Sequence, residues 1–348
     1  MYKTYHVLIV ILLLSLIVNG YRVDYKNKKE KKYCAKCHKY KGKRQLKYCN
    51  KCSALENSNS LNIMASEAIL DENRDFGESS IILLSNSTKF DYKNIKNLIV
   101  FGDSHSSANT NFTDMTYTGD NCSQGKNWPL HLIDLNNMKL WNYAVGGSLI
   151  NVKLVTKWKW YHIDLIGQYH YFHENMSKGK IFGNSWNKTN SLFALWIGNN
   201  DIINLFRNNV AREIDEITDN LFDIINKMYE DGARNFLILL IFQKDCIINK
   251  YCSIINDIFS FNDNIIKKSN LLFKKYSDLN IIIYNTNKKF KEIVSNCILY
   301  KFEDCFKNWM ENKNENIEDY FWINSHISDP GNKVFAEDIN KLLNSLSN

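Results

Sequence analysis

The stretch VFGDSHSSANTNF, residues 100–112, carries Ser104 between an acid and a histidine. A serine hydroxyl is a weak nucleophile until a positioned base takes its proton. Whether the chain carries such a base depends on what else it holds, and a late stretch, YFWINSHIS, contains His326. Two other short stretches stand out, NYAVGG, Asn142 to Gly147, and Gly198-Asn199-Asn200-Asp201. Each block is short enough to recur by chance, so order and setting decide its meaning. His105 neighbours Ser104, but adjacent residues point apart, and it reads as a loop or surface residue.

The setting comes from the hydrophobic pattern. NLIVFGDS is an apolar run that stops at Gly102, as a buried parallel strand does before a loop. MKLWNYAVGGS (138–148), SLFALWIGNNDI (191–202), ARNFLILLIF (233–242) and NIIIYNT (280–286) repeat the pattern. Segments with helical spacing separate them, at 201–233, about 254–277 and about 331–346. Strands alternating with helices imply an α/β fold, a three-layer sandwich around a mainly parallel central sheet. Ligands gather at the carboxyl ends of such strands, where Ser104, Gly147 and Asn200 fall.

On these blocks, taken in order, the chain resembles the SGNH, or GDSL-type, hydrolases over about residues 96–346. NYAVGG, GARNFL and FW…H look most like the secreted fungal-type branch, which includes carbohydrate acetylesterases. The resemblance implies Ser104 as nucleophile, His326 as base, and an oxyanion hole of the Ser104 N–H, the Gly147 N–H and the Asn200 side chain. It implies no cofactor. Asp103 and Asp201 read as braces for their loops.

One departure bears on the mechanism. The family places an Asp three residues before the catalytic His, and here that position is Ile323. Asn324 or a backbone carbonyl could hold the ring instead, giving a Ser–His pair with a neutral orienter. Losing the charge weakens the base. An Asp at position 323 is therefore expected to raise turnover. A second departure is QKDCIINKYC after the fourth run, where the branch carries proline-rich loops. Both point towards a slow or inactive copy.

The first 20 residues, MYKTYHVLIVILLLSLIVNG, have a positive start, an apolar run and small residues at the end. They read as a secretory signal peptide, with a membrane anchor as the alternative. Sequons at Asn86, Asn111, Asn121, Asn175 and Asn187 fit an extracellular fate.

The net charge of +7 is local: residues 21–52 hold 13 Lys and Arg against Asp24 and Glu30, a net of +11, and the chain after them carries −5. That stretch lies in a basic head, 21–60, where Cys34 and Cys37 form one C-x-x-C and Cys49 and Cys52 another. Four thiolates could hold zinc, although the gap is shorter than usual. An oxidising compartment favours two disulfides instead. The lysines could bind an acidic polymer or anionic surface, or belong to a solvated linker. Residues 61–95 read as a linker.

In the body, Cys246 with Cys252 and Cys297 with Cys305 would close short loops and leave Cys122 odd. The aromatic stretch 157–175 reads as a covering helix, with Trp158 or Trp160 as candidates to line a sugar-binding cleft.

The function expected is a secreted, monomeric serine esterase acting on acyl esters, acetyl groups on carbohydrate first. The alternatives are a lipase or lysophospholipase of the same fold and an impaired domain kept as a surface-binding module.

Overall fold

A computed structural model describes residues 77–155, 163–208, 214–249 and 252–347, all within one unit, Asp75–Asn348. The expected leader, the head with Cys34, Cys37, Cys49 and Cys52, and both Trp158 and Trp160 lie outside the described residues.

The strands, in chain order, are β1 (Ser80–Leu83), β2 (Asn97–Gly102), β3 (Thr110–Asn111), β4 (Thr116–Tyr117), β5 (Lys139–Asn142), β6 (Ser191–Trp196), β7 (Asn235–Leu239), β8 (Asn280–Tyr284), β9 (Asp304–Asn308) and β10 (Tyr320–Trp322). The main sheet runs β1-β8-β7-β6-β2-β5. Its last five strands are mutually parallel, and each arises from one of the apolar runs. Every residue of β2, β6, β7 and β8 is buried, as expected of parallel strands covered on both faces.

The helices are α1 (Trp128–Asn136), α2 (Val152–Val155), α3 (Leu165–Met176), α4 (Asn199–Asn208), α5 (Ile214–Glu230), α6 (Lys244–Ile248), α7 (Ile255–Lys275), α8 (Thr286–Ser295) and α9 (Asp329–Ser345). Alternate strand residues face two separate cores. Ile99, Phe101, Phe193, Leu195, Phe236 and Ile281 pack with α3, α4, α5 and α7. Leu98, Val100, Leu192, Ala194, Leu237 and Ile282 pack with α1, α8 and α9. These are the three layers of an α/β sandwich. Each fully buried large apolar side chain contributes roughly 1.5–3 kcal/mol, and Trp128, Trp141, Trp196 and Trp322 are all sealed from solvent.

Two expectations change. The helical stretch 201–233 is two helices, α4 and α5, with residues 209–213 between them outside the described residues. The linker 61–95 is too long: β1 lies inside it and pairs antiparallel with β8, Ser80 opposite Tyr284 and Leu83 opposite Ile281. β1 escaped notice because its four residues are only half-buried and sit among polar neighbours. Among the described residues, no helix is long and apolar enough to cross a membrane.

Candidate active site

β2 must end in glycine. A Cβ on Gly102 would come within 2.5 Å of the Trp196 carbonyl oxygen on the next strand. Past that point the chain turns sharply. The Asp103 carbonyl accepts the N–H groups of Ser106 and Ser107, both at 3.0 Å, and its carboxylate accepts the His105 N–H at 3.0 Å. Ser104 sits on this turn, half-buried.

His326 arrives from the turn between β10 and α9. The Ile323 N–H donates to the His326 carbonyl at 2.9 Å, and the Ser328 N–H to the Phe321 carbonyl at 3.0 Å. The Ser328 hydroxyl then accepts the Gly331 N–H at 3.1 Å and caps α9.

The two residues meet: His326 Nε2 lies 2.7 Å from Ser104 Oγ. On the other side of the ring, Nδ1 lies 2.8 Å from Asn324 Oδ1. That same oxygen accepts the His326 backbone N–H at 2.8 Å, while Asn324 Nδ2 donates to Met310 Sδ at 3.5 Å. With an oxygen facing Nδ1, the proton belongs on Nδ1 and the lone pair of Nε2 faces Ser104. Ile323 takes no part in holding the ring through a polar group. Its side chain is buried, and its N–H and carbonyl are spent on the turn and on the Met310 N–H. Burial lowers the His326 pKa from its ordinary value.

His105 lies in the loop, as expected, but its ring is turned inward and it is only partly exposed. Its ring centroid is 4.8 Å from that of His326, 5.0 Å from Trp196 and 5.1 Å from Phe242. The rule that adjacent residues point apart holds in a strand, and residues 104–105 are in a turn. Burial, and secondarily the charge on His326, hold its pKa well below that of an ordinary histidine. His105 thus stays neutral beside the reacting ring.

The oxyanion candidates stand around Ser104. Gly147 adopts φ +77°, a conformation that favours glycine. A Cβ on its neighbour Gly146 would lie 3.9 Å from Ser104 Cβ, so this loop runs alongside the serine. Asn200, in the first turn of α4, donates through Nδ2 to the Ser148 carbonyl at 3.1 Å and reaches Asp103 Oδ2 at 3.5 Å. The second contact is at the limit of a hydrogen bond and is the one an incoming oxygen could displace.

Asp103 and Asp201 both brace loops. Asp201 accepts the Ile150 N–H at 3.0 Å and ties the Gly146-Gly147 loop to α4. Each is fully buried, and burial raises each pKa to about 7.

Gln168 was missed by sequence reasoning. Its Oε1 accepts the Gly102 N–H at 3.0 Å, and its Nε2 donates at 2.8 Å to both the Gly102 carbonyl and Ser148 Oγ. It thereby joins the end of the serine strand to the glycine loop. One signal existed: Leu165, Gln168, Phe172 and Met176 form the buried stripe of α3, and Gln168 is the polar member. Asn142, at the end of β5, does similar work, donating to the Ser106 carbonyl at 2.7 Å.

Ser104, His105, Asn200, Ile203, Phe242 and His326 line a small cavity of about 70 Å³. That is well below the roughly 300–1,000 Å³ of sites that engulf a drug-sized ligand. Cys246 pairs with Cys252 and Cys297 with Cys305, while Cys122 has no disulfide partner among the described residues. Among the described residues, no three His, Cys, Asp or Glu side chains group as metal ligands would.

A family profile described as GDSL-like lipase/acylhydrolase matches residues 98–339. An acetylesterase of Thermothelomyces thermophilus is 29% identical over 159 residues, covering 41% of this chain and 52% of that protein. The chain thus spans about half the length of this curated relative. Among solved structures, an acetyl xylan esterase aligns over 71% of this chain and 98% of its own, at 15% identity and a TM-score of 0.44. An acetylxylan esterase from Geobacillus stearothermophilus aligns over 76% and 96%, at 10% identity and a TM-score of 0.41.

Proposed function

The chain belongs to the GDSL-like lipase/acylhydrolase family, and on that premise we propose that it hydrolyses short acyl esters, with Ser104 as nucleophile and His326 as base. The observation that supports this most is the 2.7 Å approach of His326 Nε2 to Ser104 Oγ, with Asn324 Oδ1 on the far nitrogen.

In this mechanism Ser104 Oγ bonds to the ester carbonyl carbon as its proton passes to His326 Nε2. The carbonyl electrons move onto oxygen, which takes hydrogen bonds from the Ser104 and Gly147 N–H groups and from Asn200 Nδ2, released from Asp103. Each such donor is worth roughly 3 kcal/mol of barrier. Collapse breaks the bond to the alcohol oxygen, which leaves with the proton from His326. Water, deprotonated by His326, then attacks the acyl-serine by the same route and frees the acid.

The acyl group proposed is acetyl. The 70 Å³ cavity, walled on its apolar side by Ile203 and Phe242, suits a two-carbon chain better than a fatty one. The similarity to an acetylesterase agrees. The alcohol proposed is a carbohydrate hydroxyl, as resemblance to the same branch implies. The leader-like residues 1–20 and the paired cysteines support secretion. The basic head, outside the described residues, is proposed to hold the enzyme on an acidic polymer.

The test is a panel of p-nitrophenyl esters from acetate to decanoate, with acetylated xylan, on the secreted protein and on Ser104→Ala. Acetate should be preferred, and Ser104→Ala should fold and lose turnover. Equal rates in the two proteins would remove Ser104 as nucleophile, and a preference for decanoate would remove the acetyl reading.

A further inference from the structure

Five sequons are written in the chain, and the structure sorts them. We propose that Asn86, Asn111 and Asn187 carry N-linked glycans and that Asn121 and Asn175 do not. This rests on the secretory reading above.

The argument starts from the amide nitrogen. A free asparagine Nδ2 has two hydrogens, and a glycosylated one has a single hydrogen and a sugar. Asn121 uses both: Nδ2 donates to the Gly119 carbonyl at 2.8 Å and to the Gly125 carbonyl at 2.7 Å. It closes the loop that leads into α1, and its Oδ1 accepts the Ser123 N–H at 2.7 Å. Asn175 is committed in the same way. Its Nδ2 donates to the Phe112 carbonyl at 2.6 Å and to Met115 Sδ at 3.7 Å, fastening the β3–β4 hairpin to α3. A sugar on either nitrogen would strip a hydrogen bond from a half-buried loop and put a bulky polar group in its place. A chain so modified could not complete these contacts.

The other three differ in kind. Asn86, Asn111 and Asn187 are exposed, and among the described residues none of their Nδ2 atoms donates a hydrogen bond. Asn111 Oδ1 accepts the Thr113 N–H at 3.0 Å. Asn187 Oδ1 accepts the N–H and the hydroxyl of Thr189, each at 2.9 Å. The oxygen is turned into the local turn, and the nitrogen is left for substitution.

Two of the three also stand clear of the chemistry. Ser85, next to Asn86, donates its N–H to Asn280 Oδ1 at the start of β8, and Asn187 pairs with Asn190 just before β6. Both lie at the amino ends of the parallel strands, opposite Ser104.

The experiment expresses the chain in a yeast secretory host behind a host leader, so that translocation is not in question. Secreted protein is treated with peptide N-glycosidase F in heavy-oxygen water, and each sequon is read by peptide mass spectrometry. Labelled Asp is expected at positions 86, 111 and 187 and plain Asn at 121 and 175. Label at 121 or 175 comparable to the others, or none at the three exposed sites, would overturn the proposal. Gln substitutions supply the second readout. The triple variant at 86, 111 and 187 should lose the mass of three glycans and keep the hydrogen bonds described. Asn121→Gln and Asn175→Gln should lose thermal stability without losing mass. A parallel arm with the chain's own residues 1–20 tests secretion separately: retention in the cell there defeats the secretory reading and leaves the host-leader arm to decide the sites.

Discussion

The side-chain oxygen of Asn324 accepts two hydrogen bonds from His326, one from the ring at Nδ1 and one from the backbone N–H, both at 2.8 Å. The amide thus sets the ring's tautomer without supplying charge. An Asp-to-Asn change in a triad is ruinous when it produces the wrong tautomer; here the right one is already in place. Asn324→Asp is expected to add only the missing charge, raising turnover of an acetate ester about tenfold, or ~1.4 kcal/mol of barrier. Asn324→Leu should lower it roughly 100-fold, since general base catalysis depends on a held ring. Steady-state kinetics on folded variants checks both. Asn324→Asp at or below wild-type turnover would mean that charge is not what the base lacks.

The pH profile follows from the burial of His326, whose pKa is lowered. The neutral ring is the active form, so a lowered pKa extends activity to more acidic solution. The acid limb of kcat/KM is expected below the ordinary histidine value of about 6.5. In Asn324→Asp the carboxylate stabilises the protonated ring, so the limb should move up. An acid limb in the wild type at or above 6.5 would contradict this assignment.

The His105 ring lies tilted against the reacting ring, its centroid 4.8 Å away, and is itself backed by Trp196 and Phe242. His105→Phe keeps a flat partner and should retain most of the activity. His105→Leu should lose roughly two- to tenfold in kcat, the size of one ring contact at ~0.5–1.5 kcal/mol. Loss of all activity in both variants would make His105 part of the proton path instead.

The buried carboxyls predict how stability depends on pH. Asp201 has a pKa of about 7 in the fold against an ordinary 3.8. Between those values the folded chain keeps a proton that the unfolded chain has lost. The stability this contributes is complete below 3.8 and is lost as the pH rises through 7. Melting temperature should therefore fall from pH 5 to pH 8, with Asp103 acting in the same sense. Asp201→Asn should flatten the slope, and an unchanged slope would count against the raised value.

Much of the frame was legible because parallel strands buried on both faces read as unbroken apolar runs. Helices α7 and α9 were legible through their spacing. Ser104, His326, Gly147 and Asn200 stood out because each ends or follows such an element. What escaped depends on partners far off in sequence. Gln168 is an ordinary helix residue until it meets Gly102 and Ser148. Ile323 looked like the empty place of an acid, and the turn makes it a buried structural residue while Asn324 swings onto the ring. Ile323→Asp is accordingly a poorer route to activity than Asn324→Asp, because it buries a carboxylate.

β1 has a consequence for any shortened form of the protein. It is the short outer strand that covers β8, all five residues of which are buried. A chain begun at residue 96, where the apolar pattern seems to start, would lack it. The backbone of Asn280–Tyr284 would then offer unpaired N–H and carbonyl groups along an Asn-Ile-Ile-Ile-Tyr edge, a template for strand addition between molecules. Such a chain would keep every residue of the proposed chemistry and still be prone to aggregate, because residues 80–83 replace the long apolar edge of β8 with a short outer strand.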